Sequence, residues 1–147
     1  MTTDSEQATA RLLLDAFRAF ENELAGVLVA HGFDDVTTGN FNVLRHIDPQ
    51  GLRLTRLAKD AQITKQAIGK MVRELEHKGY VEVLGDESDA RAKYVRFSKK
   101  GEKLISIAIQ VVTDMERQYQ SILGTKNYNS LRRSVRRICE WHLHKET

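Results

Sequence analysis

The chain has 147 residues, with 23 Lys and Arg against 20 Asp and Glu, a net charge of +3, one Cys and one Pro. At 41% hydrophobic and 29% charged, it holds enough apolar chain for one real core, which excludes a disordered or fibrous protein and a disulfide-dependent miniprotein. The longest apolar run, Ala25 to Ala30, falls far short of the ~20 residues that span a bilayer; the polar start predicts no signal peptide, and a single Cys fits a reducing cytosol, so a cytoplasmic protein without a membrane segment is expected.

Leu13, Phe17, Phe20, Leu24 and Val27 recur at helical spacing and predict one helix from about residue 5 to 30, ended by Gly32. Thr37 or Thr38 can cap a second helix carrying Phe41, Leu44 and Ile47, and Asp48-Pro49-Gln50-Gly51 reads as a turn. A short helix follows over about Leu54 to Ala61, with Leu57, Ala58 and Ala61 inward. After Gln62-Ile63, Thr64 can cap a helix that ends at Gly79 and turns Ala67, Ile68, Met71, Val72 and Leu75 inward. The period then changes: Tyr80 to Leu84 and Lys93 to Phe97 read as two strands around a charged loop, a β-hairpin. Ser98 can cap a long helix to about Leu123, striped by Leu104, Ala108, Val111, Met115, Tyr119 and Ile122. Gly124 to Asn129 breaks it before a last helix with Leu131, Val135, Ile138 and His142.

The charge is unevenly placed. Residues 1–50 carry 3 basic and 8 acidic side chains, residues 51–101 carry 12 and 7, and residues 102–147 carry 8 and 5. The basic excess thus falls on the helix pair and the hairpin, where a phosphate backbone would be preferred over the N-terminal third. Two helices joined by a few residues, the second exposing basic and amide groups, form a helix-turn-helix arrangement. With the apolar positions committed inward, Lys65, Gln66, Gly69, Lys70 and Arg73 make up the outward face of the second helix. Lys and Arg can reach phosphates or guanine O6/N7, and Gln can pair with adenine. Gly69 permits close approach at a helix-propensity cost of ~1 kcal/mol. In the hairpin loop, Arg91 can enter the narrow, negative minor groove, with Asp89 holding it extended. Lys93 and Arg96 are expected phosphate contacts, as is Thr64 through the helix N-terminus. The alternative for each is a solvated, mixed-charge surface.

In this order the stretches VTTGNFNVL, LTRLAKDAQITKQAIGKMVRELEHKGYV and DESDARAKYVRFSKKG, residues 36–101, resemble the winged helix-turn-helix core of the MarR family of bacterial transcription regulators. Leu57-Ala58, Leu75, Gly79, Asp89, Arg91 and Gly101 stand in register with its pattern. The resemblance implies a mainly α fold with a small β-hairpin wing, its DNA-binding region 36–101 flanked by a helical dimerisation region of residues 1–35 and 102–147. It further implies a homodimer on a pseudo-palindromic operator in double-stranded DNA, acting as a repressor, with recognition helices roughly 34 Å apart. Burial of the terminal apolar stripes between two chains is also what their lack of a partner in a small central domain predicts. A small aromatic or phenolic effector is implied as well, with Phe17, Phe20, Val27, His31, Phe33 and Phe41 as candidate wall residues; ordinary core is the alternative for each. The sequence departs from the pattern at Gln62, where a turn glycine is usual, at Gly69, where a hydroxyl residue is usual, at Ala90, which replaces the first of two arginines, and at Phe97-Ser98, which replaces Leu-Thr.

Cys139, beside Trp141, reads as a buried structural thiol. Arg132, Arg133, Arg136 and Arg137 form a basic stripe in the last helix. His142 and His144 point about 200° apart on a helix, a poor chelate, so no metal or other cofactor is expected. With no nucleophile elbow, phosphate loop or zinc motif, no catalysis is expected. The rival reading is a winged-helix module that binds protein instead of DNA.

Overall fold

The structure is a computed structural model that describes residues 7–85 and 92–145. The elements run α1 (Thr9–Ala30), α2 (Thr38–Leu44), β1 (Leu52–Arg53), α3 (Leu54–Asp60), α4 (Lys65–His77), β2 (Val81–Leu84), β3 (Tyr94–Phe97), α5 (Lys99–Leu123) and α6 (Thr125–Lys145). The chain is thus mainly helical with a small antiparallel sheet, as the periodicity predicts. Two compact units divide at Ala108 and Ile109.

Helix starts follow side-chain chemistry. Thr37 accepts the Asn40 N–H while the Asn40 side chain accepts the Thr37 N–H, a capping box that satisfies two donors at the start of α2. Thr64 accepts the Ala67 N–H at 3.2 Å and opens α4. Ser98 accepts the Gly101 N–H at 3.0 Å and opens α5. Gly124, at φ 78°, separates α5 from α6, so one residue suffices for the break and α6 starts earlier than the polar run 124–129 predicts.

In the first unit, the core gathers one face of each element. Val43 and Leu44 of α2, Leu57 of α3, Ile68, Val72 and Leu75 of α4, Tyr80, Val95 and Leu104 are all buried. The α4 positions recur at i, i+4 and i+7, so one stripe packs inward and the opposite face is left to solvent. Helices α2, α3 and strand β2 all pack on α4. Gly101 is required where α5 begins: a Cβ there would stand 1.9 Å from the Tyr80 carbonyl, which accepts the Ser98 N–H.

The sheet order is β1-β3-β2, antiparallel. Strands β2 and β3 are the expected hairpin, registered Glu82↔Arg96 and Val83↔Val95. Strand β1 is a two-residue addition on the far side of β3, pairing Leu52↔Val95. Two residues carry no readable alternation, so periodicity misses it.

In the second unit, Met115 and Tyr128 are buried. The Tyr128 hydroxyl bonds to the Glu116 carboxylate and accepts from Arg132 at 3.3 Å, and Arg132 lies 3.6 Å from Glu116. The Glu116 carboxylate, followed by burial, raises the Tyr128 phenol above its ordinary range. Among the described residues, no helix is long and apolar enough to cross a membrane.

Candidate nucleic-acid interface

Helix α3, the connection Ala61–Thr64 and helix α4 form the helix-turn-helix. The connection turns at Gln62, at φ 55°, the one non-glycine residue of positive φ among the described residues. A left-handed residue with a Cβ costs ~1–2 kcal/mol. The Ile63 N–H reaches back to the Ala58 carbonyl at 3.0 Å and closes the turn.

Burial of Ile68, Val72 and Leu75 sets the rotation of α4, and Thr64, Lys65, Gln66, Lys70 and Arg73 are all exposed in consequence, with Gly69 half-buried between them. The structure therefore brings the predicted α4 residues together on one face. Their electrostatics differ from those of several other cations of the first unit. Arg11 pairs with Asp15 at 3.0 Å, Arg45 with Glu21 at 2.8 Å, Arg56 with Asp60 at 2.9 Å and Lys78 with Glu74 at 2.9 Å. Among the described residues, no carboxylate lies within ion-pair distance of Lys65, Lys70 or Arg73. The acids of α4 are committed elsewhere. The Lys78 ammonium, with a smaller contribution from Lys70, holds Glu74 below the usual carboxylate range, and Glu76 accepts the Val83 N–H at 3.2 Å, tying α4 to the first wing strand.

The wing is described up to its loop. Asp89 and Arg91, the expected minor-groove pair, lie outside the described residues. Lys93 is half-buried at the start of the returning segment, and its carbonyl accepts the Leu54 N–H at 3.0 Å. Arg96 is exposed on β3 but bonded to Glu82 across the hairpin at 2.8 Å, so it is a balanced charge, unlike those of α4. Beneath the wing a cavity of about 190 Å³ is lined by Leu54, Gly69, Arg73, Glu76, Val83 and Lys93, among others.

A polar cluster that sequence reasoning missed fixes the C-terminal end of α4. Lys78 donates to the Glu74 carboxylate at 2.9 Å, to the Asn40 side-chain oxygen at 2.9 Å and to the Asp35 carbonyl at 2.7 Å. Asn40 is 1% exposed, the one buried polar residue of the described core. The buried Tyr80 bonds through its hydroxyl to the Asp35 carboxylate, and Lys100 sits 4.4 Å over its ring. Burial first, then Asp35, raises the Tyr80 phenol far above its ordinary range. Apart from the Lys78–Glu74 pair, each link joins residues far apart in the chain, so local spacing holds no trace of it.

Of the candidate effector residues, Phe17 and Phe20 stand together, ring centroids 6.2 Å apart, with the Arg45 guanidinium 5.2 Å over Phe17. Arg45 also donates to the Phe41 carbonyl at 3.1 Å. His31 is exposed, its Nδ1 2.8 Å from the Val27 carbonyl. Phe33 is buried against Tyr80 at 6.2 Å and belongs to the core. None of the six is among the residues lining the cavity beneath the wing. Cys139 is exposed, not buried as its neighbours in sequence suggested. Among the described residues no cluster of His, Cys, Asp or Glu could hold a metal ion.

Comparison with known proteins agrees with this architecture. Residues 34–92, which contain the helix pair and the first wing strand, match the model of the MarR family. The transcriptional regulator HosA of Escherichia coli is 26% identical over 109 residues, covering 74% of this chain and 81% of that protein. Among solved structures, AbsC, a MarR family transcriptional regulator from Streptomyces coelicolor, superposes with a TM-score of 0.70 at 22% identity, covering 99% of this chain and 98% of that one. The reduced form of MarR from E. coli superposes with a TM-score of 0.69 at 22% identity, covering 90% and 96%. The family match over residues 34–92, the similar regulator and the shared fold agree with the helix pair and wing described above, and the chain is similar to the MarR family of transcriptional regulators in its helix-turn-helix core and its fold.

Proposed function

We propose that this chain is a sequence-specific double-stranded DNA-binding regulator, acting as a homodimer on a pseudo-palindromic operator and repressing transcription. The observation that carries the reading is the exposed face of α4, where Lys65, Lys70 and Arg73 stand around Gln66 with no carboxylate of the described residues within ion-pair distance. Unpaired, solvated cations on one face are what a polyanion needs, since no internal ion pair has to be broken first. In this reading Lys65, Gln66, Lys70 and Arg73 enter the major groove and Arg91, with Asp89, the minor groove. Thr64, Lys93 and Arg96 meet phosphates, Arg96 by exchanging Glu82 for a phosphate oxygen.

The homodimer is supported by the terminal helices. Helix α1 exposes Leu12, Leu13, Leu14 and Phe17, and α6 exposes Leu131, Ile138, Trp141 and Leu143. Apolar stripes of this kind are ordinarily covered. Residues 1–35 and 102–147 then serve dimerisation and residues 36–101 DNA binding. A small aromatic or phenolic effector acts by favouring a dimer spacing that does not fit DNA. The pair Phe17–Phe20 under Arg45, with Val27 and His31 further along and Phe41 on α2, is the place where such a ligand would find ring contacts and, by exchanging Glu21 for its own acidic group, a cation.

The deciding experiment is a salt titration of genomic fragments bound by the whole protein. Several neutralised phosphates make log affinity fall linearly with log salt, and Lys93→Ala and Arg96→Ala each reduce that slope by about 1. Retention of no fragment at low salt would overturn the reading and favour the protein-binding module.

A further inference from the structure

We propose that Gly69 is a specificity-determining position because it makes room for the guanidinium of Arg73, which reads a guanine through the gap. The inference rests on the DNA-binding reading above and deepens it.

Gly69 lies in the interior of a 13-residue helix, where glycine is a poor helix former. Neither of the usual reasons for glycine applies. Its φ is not in the left-handed region, and no backbone or core atom crowds it. Among the described residues, one atom alone comes within 4 Å of where its Cβ would be, a terminal nitrogen of Arg73 at 3.5 Å. Side chains on a helix lean toward its N-terminus, so an arginine four residues on extends back over that turn. The guanidinium thus occupies the middle of the exposed face instead of its C-terminal end. Gln66, three residues before Gly69, is exposed on the same face.

Among the described residues no carboxylate lies within ion-pair distance of Arg73: Glu76, which lines the same cavity, accepts the Val83 N–H, and Glu74 pairs with Lys78. A planar fork of donors with no internal acceptor suits the O6/N7 edge of guanine. A Cβ at 3.5 Å is an ordinary contact, so alanine fits beside the arginine; a longer side chain would take its place.

The test is selection of bound double-stranded fragments from a randomised library by the whole protein and by Gly69→Ala, Gly69→Leu, Arg73→Ala and Gly69→Leu/Arg73→Ala. We expect a guanine preference at one position of each half-site that falls at least about 5-fold in Arg73→Ala. Gly69→Ala should keep that preference while its melting temperature rises by about 2–4 °C. Gly69→Leu should lose the preference at the same position, and the double variant should lose nothing more. Three outcomes overturn the proposal: Gly69→Leu leaving the preference intact, effects of the two substitutions that simply add, or Arg73→Ala weakening all sequences equally as a phosphate contact does. If Gly69→Leu does not fold, Arg73→Ala still decides whether the arginine reads a base, and Gly69→Gln replaces leucine in the coupling test. Retention of no DNA by the unmodified protein overturns the DNA-binding reading itself; retention without coupling overturns this inference alone.

Discussion

Gln62 holds a left-handed backbone with a Cβ that such a conformation disfavours, at φ 55° in the turn between α3 and α4. Gln62→Gly removes that strain of ~1–2 kcal/mol but adds chain entropy to the unfolded state, so a net gain of up to about 1 kcal/mol is expected by chemical denaturation. Gln62→Ile, with a branched Cβ, should cost about 1–3 kcal/mol. The ordering of the two variants is the informative readout, since only a positive φ produces it. Tyr80 is the second residue with a private energetic signature. Its phenol is raised by burial and by Asp35, so the neutral form is favoured in the folded chain. The stabilisation this brings is complete below the ordinary tyrosine range, near pH ~10, and is lost as pH rises above it, because the unfolded tyrosine ionises first. Melting curves between neutral and strongly alkaline pH should therefore fall more steeply for the native protein than for Tyr80→Phe. Equal slopes would show that Tyr80 carries no such linkage. The position of Gln62 in the turn was legible from the family pattern, because turn chemistry is local. The environment of Tyr80 was not, since Asp35 lies on the far side of α2 in sequence.

At the scale of elements, α4 is a helix held at three places. Its N-terminus is capped by Thr64, its inward stripe by Ile68, Val72 and Leu75, and its C-terminal end by Lys78 bonded to Asn40 and Asp35. The last of these sets where the recognition face stands relative to α2. Asn40→Ala removes the oxygen that takes both the Thr37 N–H and the Lys78 ammonium, in a site 1% exposed. A loss of about 1–2 kcal/mol is expected by denaturant unfolding, from the capping box and one of the three bonds of Lys78. A loss below about 0.5 kcal/mol would mean that Lys78 and Thr37 find other partners. The cationic face of α4 was legible because the apolar positions at i, i+4 and i+7 use up the other side. Which cations are paired was not. Arg96 meets Glu82 only because the hairpin register places them opposite each other, and register depends on the whole sheet, including the two-residue β1.

For the whole molecule, the exposed apolar residues of α1 and α6 carry the proposed homodimer. Ile138→Glu places a charge on the α6 stripe, where Ile138 is 40% exposed in one chain. Sedimentation should show a shift from dimer toward monomer, with helical circular dichroism retained at low temperature and operator affinity falling in parallel. A variant that remains dimeric would move the interface away from that stripe. The exposed Cys139 lies one position further along the same helix, an exposure that residue type alone does not reveal.

The sequence by itself determined the order and type of the long elements, the helix starts at Thr64 and Ser98, the start of α2 to within Thr37 or Thr38, and the outward face of α4, because periodicity and capping act within a few residues of chain. The tertiary structure alone decided which charges are neutralised, why Asn40 is buried, how β1 joins the sheet and what occupies the space over Gly69. Each of these depends on the positions of side chains or strands once the backbone is folded, and the energies that settle them belong to contacts that local spacing does not encode.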